Sequence, residues 1–338
     1  MRILYVGSRY DYGDLSRGLS FEHYNFHDTL VHMGHNITYF DAMAEYQQRG
    51  RTQTSIRLRD IVRSEKPDLL FCVLFTDQFD VDTMRDISQH TETVTYNWFC
   101  DDHWRFDNYS QHWAPAFNWV STTAASALPK YERLGYTNVI KTQWACNHFL
   151  YKPLSGQTDH DVTFVGQPHG TRRRVIEALK ASGIQVQTWG HGWENGRLSQ
   201  QEMIEMFGRS RINLNLSNAS TTGQGRSRWF TRNRKSLAQQ IKGRNFEIPG
   251  CGGFLLTDLA ENLQDYYLLG QEVATFMDND ELIAKVRYYL DHESERQRIA
   301  KSGYMRTLTD HTYERRFTDI FTAMGFKAEQ IAGPVSRH

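Results

Sequence analysis

Residues 242–258, KGRNFEIPGCGGFLLTD, set an acidic residue, a glycine-rich turn and a short apolar run in immediate succession. Phe254-Leu255-Leu256-Thr257 reads as a buried strand ending at Asp258, and Gly250-Cys251-Gly252-Gly253 supplies turn conformations that a Cβ forbids. The pattern predicts a helix starting around Lys235, with Glu247 near its end, that turns tightly into the strand. On this reading backbone N–H groups from Gly252 to Leu255 face a ligand. Glu247 accepts from the two hydroxyls of a ribose, with Lys242 and Arg244 beside it as cations for phosphate. A plainer reading stays open: an ordinary helix-to-strand turn with a solvated glutamate, since glycine-rich turns are common in α/β folds.

The rest of the chain repeats strand, loop and helix. Ile3–Val6 and Asn36–Phe40 read as strands around a helical stretch carrying Phe21, Tyr24, Leu30 and Val31. After a helix over 56–62, the nearly all-apolar run Leu69–Phe75 fits a parallel strand covered on both faces. Thr93–Phe99, Phe117–Thr122 and Asn138–Gln143 follow, with a helix near Ser126–Leu134. A second series opens at Asp161–Val165 and continues through Ile184–Trp189 and Arg211–Leu216 to the strand before Asp258. The order is Rossmann-like, but no G-x-G-x-x-G follows the first strand, which disfavours a dinucleotide-dependent dehydrogenase. A length of 338 residues with 39% hydrophobic content accommodates two such units. The boundary falls between Pro153 and Asp159, giving domains over 1–155 and 156–338.

Equal numbers of basic and acidic residues, 39 each, argue against a generic polyanion binder, though not against local patches. Cys72, Cys100, Cys146 and Cys251 have no metal-type spacing and read as reduced thiols in a cytoplasm. No apolar run approaches the roughly 20 residues that span a bilayer, and the first residues read as a strand rather than a signal peptide.

In the first half, the strand ending at Phe99 delivers Cys100-Asp101-Asp102-His103-Trp104 to a carboxyl-end loop, where ligands bind in open parallel sheets. Asp101, Asp102 and His103 are the acid–base candidates, either deprotonating an acceptor hydroxyl or positioning it. The alternative is a helix cap with a surface histidine. Trp98, Trp104, Trp113 and Trp119, among Tyr96, Phe106, Tyr109 and Phe117, offer faces for a sugar or belong to the core.

In the second half, Gly166 closes a strand and Thr171-Arg172-Arg173-Arg174 opens a helix. Cations at a helix N-terminus oppose its dipole, so three of them invite an anionic ligand, unless they only decorate a solvated face. From Met206 to Phe246 there is no Asp or Glu, while Arg226, Arg228, Arg232, Arg234, Lys235, Lys242 and Arg244 accumulate; a nucleotide diphosphate is the natural counter-charge. The Gly/Ser/Thr-rich loop 217–232 reads as a cover over a ligand. Asp278-Asn279-Asp280 superficially offers a metal motif, yet Asp278 with Glu281 reads as a helix cap. His311 reads as a hydrogen-bonder at a helix junction.

Phe-Glu, three residues, then Cys-Gly-Gly-Phe-Leu-Leu-Thr-Asp resembles the donor-site signature of the spore-maturation (CgeB-type) glycosyltransferases, relatives of the retaining family-four enzymes. The resemblance is best over 161–317. It implies the GT-B fold, two Rossmann-like parallel-sheet domains facing each other across a cleft, with acceptor in the first and donor in the second. It further implies transfer from a nucleotide-diphosphate sugar, UDP foremost, without metal or other cofactor, to an unidentified hydroxyl-bearing acceptor. The family pattern has two glutamates separated by seven residues: Glu247 matches the ribose-binding second, and the first falls on Gln239. The donor nucleotide and phosphate set is then Gly166, Arg172, Arg228, Arg244 and Glu247, and the donor-sugar set Gln239, Gly252, Gly253 and Phe254. A non-catalytic nucleotide- or sugar-binding protein, and a nucleic-acid binder or modifier using 226–244, are the alternatives.

Overall fold

The computed structural model describes residues 1–154, 156, 158–217 and 239–332. It divides into two compact units, Met1–Gln143 with the chain from Tyr313 on, and Trp144–Thr312.

The first unit is built on a parallel sheet of six strands in the order β2-β1-β3-β4-β5-β6. In chain order these are β1 (Arg2–Gly7), α1 (Asp28–His32), β2 (Asn36–Asp41), α2 (Ala42–Glu65), β3 (Leu69–Cys72), α3 (Val81–His90), β4 (Val94–Phe99), the single turns α4 (Asp102–Arg105) and α5 (Ser110–Trp113), β5 (Trp119–Thr122), α6 (Leu128–Arg133) and β6 (Val139–Lys141). Successive strand residues face opposite sides of a sheet, so Leu4 and Val6 join Leu58, Val62, Leu70 and Met84 in one apolar layer. Tyr5 and Phe71 stack on the other side, beside Phe26 and Trp98. Before α1 the backbone widens into a π-turn over His23–His27.

The second unit carries a parallel five-stranded sheet, β11-β10-β9-β7-β8. It runs β7 (His160–Val165), α7 (Arg172–Ala181), β8 (Gln187–Trp189), α8 (Gln200–Arg209), β9 (Ser210–Asn215), α9 (Arg244–Gly250), β10 (Leu255–Asp258), β11 (Ala274–Phe276), α10 (Asn279–Asp291) and α11 (Glu293–Asp310). Val162, Phe164, Ile212, Leu214 and Leu256 pack with Ile176, Leu282 and Val286. Ser199 and Glu202 cap α8 reciprocally, and the Asp278 carboxylate accepts from the Glu281 N–H at 2.9 Å, so the Asp-Asn-Asp triplet is the cap its spacing predicts. His311 sits at the end of α11, with Nε2 2.6 Å from the Tyr266 carbonyl.

Two expectations are corrected. Residues 239–243 are not helical, and α9 begins only at Arg244, because the Lys242 N–H is satisfied by the Asn245 side chain at 2.9 Å, a local cap that starts the helix afresh. The division also differs from 1–155 and 156–338. After α11 the chain returns to the first unit as α12 (Tyr313–Ala323) and α13 (Ala328–Ile331). Phe317 there meets Phe71 edge-on at 5.5 Å and Phe26 at 5.6 Å, so the apolar face of α12 belongs to the first sheet.

Candidate functional site

In the second sheet β8 lies on one side of β7 and β9 on the other. The crevice at the carboxyl ends of β7 and β9 is therefore the switch point where open α/β sheets bind ligands. Arg172 occupies it. Only 6% exposed, it donates from one terminal nitrogen to the Gln167 carbonyl after β7 at 2.9 Å, and from the other to the Leu216 carbonyl after β9 at 2.6 Å. Its Nε is buried with no hydrogen bond among the described residues, as is Nε of Arg244. The three arginines thus separate in role. Arg172 bolts two loops together, Arg173 donates to the Gly192 carbonyl and lies over Trp193, and Arg174 is exposed. Gly166 passes beneath Gly190, whose hypothetical Cβ would lie 2.5 Å from the Gly166 carbonyl oxygen. The glycines there serve close backbone approach.

Basic groups converge on this crevice. Burial, then Arg244, lowers the Arg172 pKa to about 10, against the pull of Asp258. Burial, then Arg172 and Lys242, lowers that of His169. Two carboxylates face these cations. Asp258, at the end of β10, accepts from the Ser217 N–H at 2.7 Å and from Gln239 Nε2 at 3.4 Å; burial raises its pKa, with Ser217 and Arg172 opposing. Glu247, 2% exposed, accepts at Oε1 from the Tyr151 hydroxyl at 2.9 Å, which in turn accepts from Gln200 Nε2 at 2.8 Å. Burial raises its pKa, while Arg244 and Tyr151 hold it down. Oε2 of Glu247 carries no hydrogen bond among the described residues.

The glycine turn does different work from that expected. The Gly252 N–H donates to the Pro249 carbonyl at 2.8 Å and the Gly253 N–H to the Ile248 carbonyl at 3.0 Å, closing the end of α9. A Cβ on Gly253 would lie 2.8 Å from the Phe207 carbonyl oxygen, and one on Gly250 2.3 Å from Cys146 Sγ. Phe254 packs its ring on Tyr289 at 4.7 Å. Gly250 and Gly253 are small because Cys146 and the end of α8 press on them, and Phe254 is core.

In the first unit the carboxyl-end loop after β4 separates the acid–base candidates. Asp102 is buried, its carboxylate accepting from the Ser110 hydroxyl and from the Tyr131 hydroxyl at 2.8 Å. Burial raises its pKa, with the hydrogen bonds from Ser110, Thr122 and Tyr131 opposing. It fastens α4 to α5 and α6. Asp101 and His103 remain partly exposed. Of the tryptophan-rich group, Trp98, Trp113, Tyr96, Phe106, Tyr109 and Phe117 are core, which takes these six from the sugar-platform reading, while Trp104 and Trp119 are half-buried.

Glu22, just before the π-turn, is the carboxyl that the first half reveals only in three dimensions. Burial pushes it up to about 7 against the pull of its own backbone N–H, and Asp11 and Asp101 push the same way. A carboxyl with a folded pKa above its unfolded value stabilises below about 4.5 and loses that contribution as pH rises through about 7. The wild-type protein is therefore expected to lose more unfolding free energy than Glu22→Gln between pH 5 and 8, as read from urea unfolding at each pH. Parallel profiles would show that Glu22 titrates as an ordinary surface acid. Nearby, His23, His27 and Asp28 bring potential ligand atoms within 4.8 Å of one another. The two rings stack in parallel, 4.6 Å apart at 15°, and His27 Nδ1 pairs with Asp28 at 2.8 Å. His23 Nε2 also approaches the same Asp28 oxygen, at 3.7 Å.

Residues 171–322 match the family described as glycosyl transferase-like. Over 298 residues, 82% of this chain and 91% of its relative, the sequence is 20% identical to spore protein CgeB of Bacillus subtilis. In sequence the chain is thus similar to spore protein CgeB, and its second half to the glycosyl transferase-like family. Its fold is GT-B. HepE of Anabaena, solved in complex with UDP-glucose, superposes with a TM-score of 0.64 at 10% identity, over 96% of this chain and 99% of that one. TarM of S. aureus superposes with a TM-score of 0.59 at 9% identity over 81% of this chain, which spans 58% of the length of TarM.

Arg228, with Arg226, Arg232, Arg234, Lys235 and all but the first residue of the 217–232 loop, lies outside the described residues. The site residues that sequence reasoning missed are Asp258, Tyr151, Gln200 and His169. Only Asp258 carried a signal, its place at the carboxyl end of a strand. Tyr151 and Gln200 reach Glu247 across sequence separations that no local pattern encodes. Among the described residues, no helix is long and apolar enough to cross a membrane.

Proposed function

We propose that this chain transfers a glycosyl group from a nucleoside-diphosphate sugar, with UDP as carrier, to an acceptor hydroxyl, in the cytoplasm, without a metal ion and with retention at the anomeric carbon. One observation carries the reading: His169, Arg172, Lys242 and Arg244 gather at the switch point of the second sheet, where burial first, and then the neighbouring cations, lower the proton affinities of His169 and Arg172. Such mutual repulsion is relieved by an anion, and a diphosphate supplies the negative charge. HepE, of like fold, was solved with UDP-glucose. In this chain Arg244 and Lys242 take the diphosphate, Oε2 of Glu247 takes a ribose hydroxyl, and the Gln239–Asp258 pair faces the donor sugar. Arginine and lysine neutralise the charge that grows on the departing diphosphate, the task a divalent cation performs elsewhere. The first unit supplies the acceptor surface. Retention follows the family resemblance.

A thermal-shift series with UDP, GDP, dTDP and CMP, each with magnesium and with EDTA, tests the proposal, since a ligand that binds only the folded state raises the melting temperature. A shift from UDP that persists in EDTA is the expected result. No shift from any nucleotide sinks the donor site, and a shift that requires magnesium sinks the metal-independent part.

A further inference from the structure

The most exposed aromatic residues of the first unit are tyrosines and a phenylalanine, while Trp104 and Trp119 are half-buried. Tyr12 is 60% exposed and Phe75 39%; their rings meet edge-to-face, 6.3 Å apart at 87°. They stand on the loops after β1 and β3, and β2 lies on the other side of β1. The pair therefore flanks the switch point of this sheet, its ligand-binding position. A guanidinium lies on each ring, Arg17 over Tyr12 and Arg105 over Phe75, both at 4.6 Å from the centroid. Both cations are engaged, Arg17 with Asp11 at 3.0 Å and Arg105 with the Phe75 carbonyl. Burial, then Asp11, raises the proton affinity of the Tyr12 hydroxyl against the pull of Arg17, and Asp101 and Glu22 act in the same direction as Asp11.

We propose that Tyr12 and Phe75, with Glu22 and Asp101 beside them, form a subsite for one pyranose ring of a carbohydrate acceptor. The function of this subsite rests on the transfer reading above. The chemistry selects among ligand classes. Carboxylates repel an anionic ligand, and guanidiniums already on the rings repel a cationic one. An aliphatic chain has no donors for the carboxylates. A neutral sugar satisfies all three conditions: its C–H face lies on an aromatic ring and its hydroxyls donate to carboxylate oxygens. Near neutral pH, a Glu22 carboxyl poised at about 7 serves hydroxyls as acceptor or as donor.

Saturation-transfer NMR on the full chain, with maltose, cellobiose and chitobiose as probes, glycerol as a ring-free polyol and UDP in the same sample, tests the subsite. At least one disaccharide is expected to receive saturation at its ring protons while glycerol does not. Its affinity is expected to fall roughly two- to tenfold in Tyr12→Ala and in Phe75→Ala. Glu22→Gln, close in shape to the native side chain, is expected to weaken the same sugar, and all three variants keep the UDP signal and the wild-type circular dichroism. A disaccharide signal equal in wild type and in both ring variants overturns the proposal, as does a UDP signal with no disaccharide signal. A ring-dependent disaccharide signal without UDP binding leaves the subsite standing and removes the donor reading. Silence from both probes removes both.

Discussion

Arg172→Met is expected to lower the melting temperature by about 5–15 °C and to abolish stabilisation by UDP. The guanidinium ties the Gln167 and Leu216 carbonyls, one after each strand at the switch point. Its removal leaves those acceptors unpaired and Asp258 without the cation that favours its ionised form. Stranding two buried acceptors of a charged donor costs about 1–3 kcal/mol each. Together they outweigh what the better-packing methionine returns. For a domain of this size each kcal/mol moves the midpoint by roughly 2–4 °C. Arg172→Lys keeps the charge but lacks the planar fork that reaches two carbonyls at once, and should fall between the two. Differential scanning calorimetry with and without UDP decides the matter. A methionine variant with the wild-type midpoint would mean that the two loops hold together without the guanidinium.

Glu247→Gln should do the reverse to stability. Burial has raised the carboxyl's pKa, so its charged form is strained in the folded protein, and that strain grows as pH rises through the folded pKa. Glutamine keeps an oxygen for the Tyr151 hydroxyl and removes the charge. The variant is expected to melt at or above the wild-type temperature at pH 8, with the difference shrinking toward pH 5. UDP affinity should nevertheless drop, because a ribose hydroxyl loses an ionised acceptor worth about 1.5–3 kcal/mol, roughly 10- to 150-fold in Kd. Calorimetric titration of UDP into both proteins measures it. A variant that binds UDP like the wild type would give Glu247 a purely structural role. A site residue whose removal stabilises the fold is the signature of a group held for a ligand.

The two sheets were legible because parallel strands buried on both faces must be almost wholly apolar, and Leu69–Cys72 and Leu255–Thr257 are. The cap at Asp278 was legible because its partner lies three residues away. What the sequence concealed was direction and distance. Arg172, Arg173 and Arg174 are indistinguishable as letters, yet one is buried between two strands, one lies on a tryptophan and one is solvated. Asp101 and Asp102 are likewise adjacent, but only the second points into the core, where Tyr131, 29 residues away, holds it. The tryptophans clustered in sequence because a core was being filled, while the exposed rings Tyr12 and Phe75 lie in loops with no pattern of their own. The helix expected from Lys235 failed at Asn245, whose side chain supplies a start signal that propensity over a longer window hides.

The return of the chain to its first sheet makes synthesis itself part of folding. Phe26, Phe71 and Trp98 are translated early, but Phe317, which packs against all three, emerges only after the entire second unit. At about 5–20 residues per second, the nascent first unit waits on the order of ten seconds with an aromatic face bare to solvent. Trp144–Thr312 is contiguous and completes itself as it leaves the ribosome. A message cut short before Tyr313 would therefore yield a finished second unit tethered to a sticky, incomplete first one, the kind of product that chaperones and proteases remove. The helix α12 is thus the piece whose arrival completes the first unit.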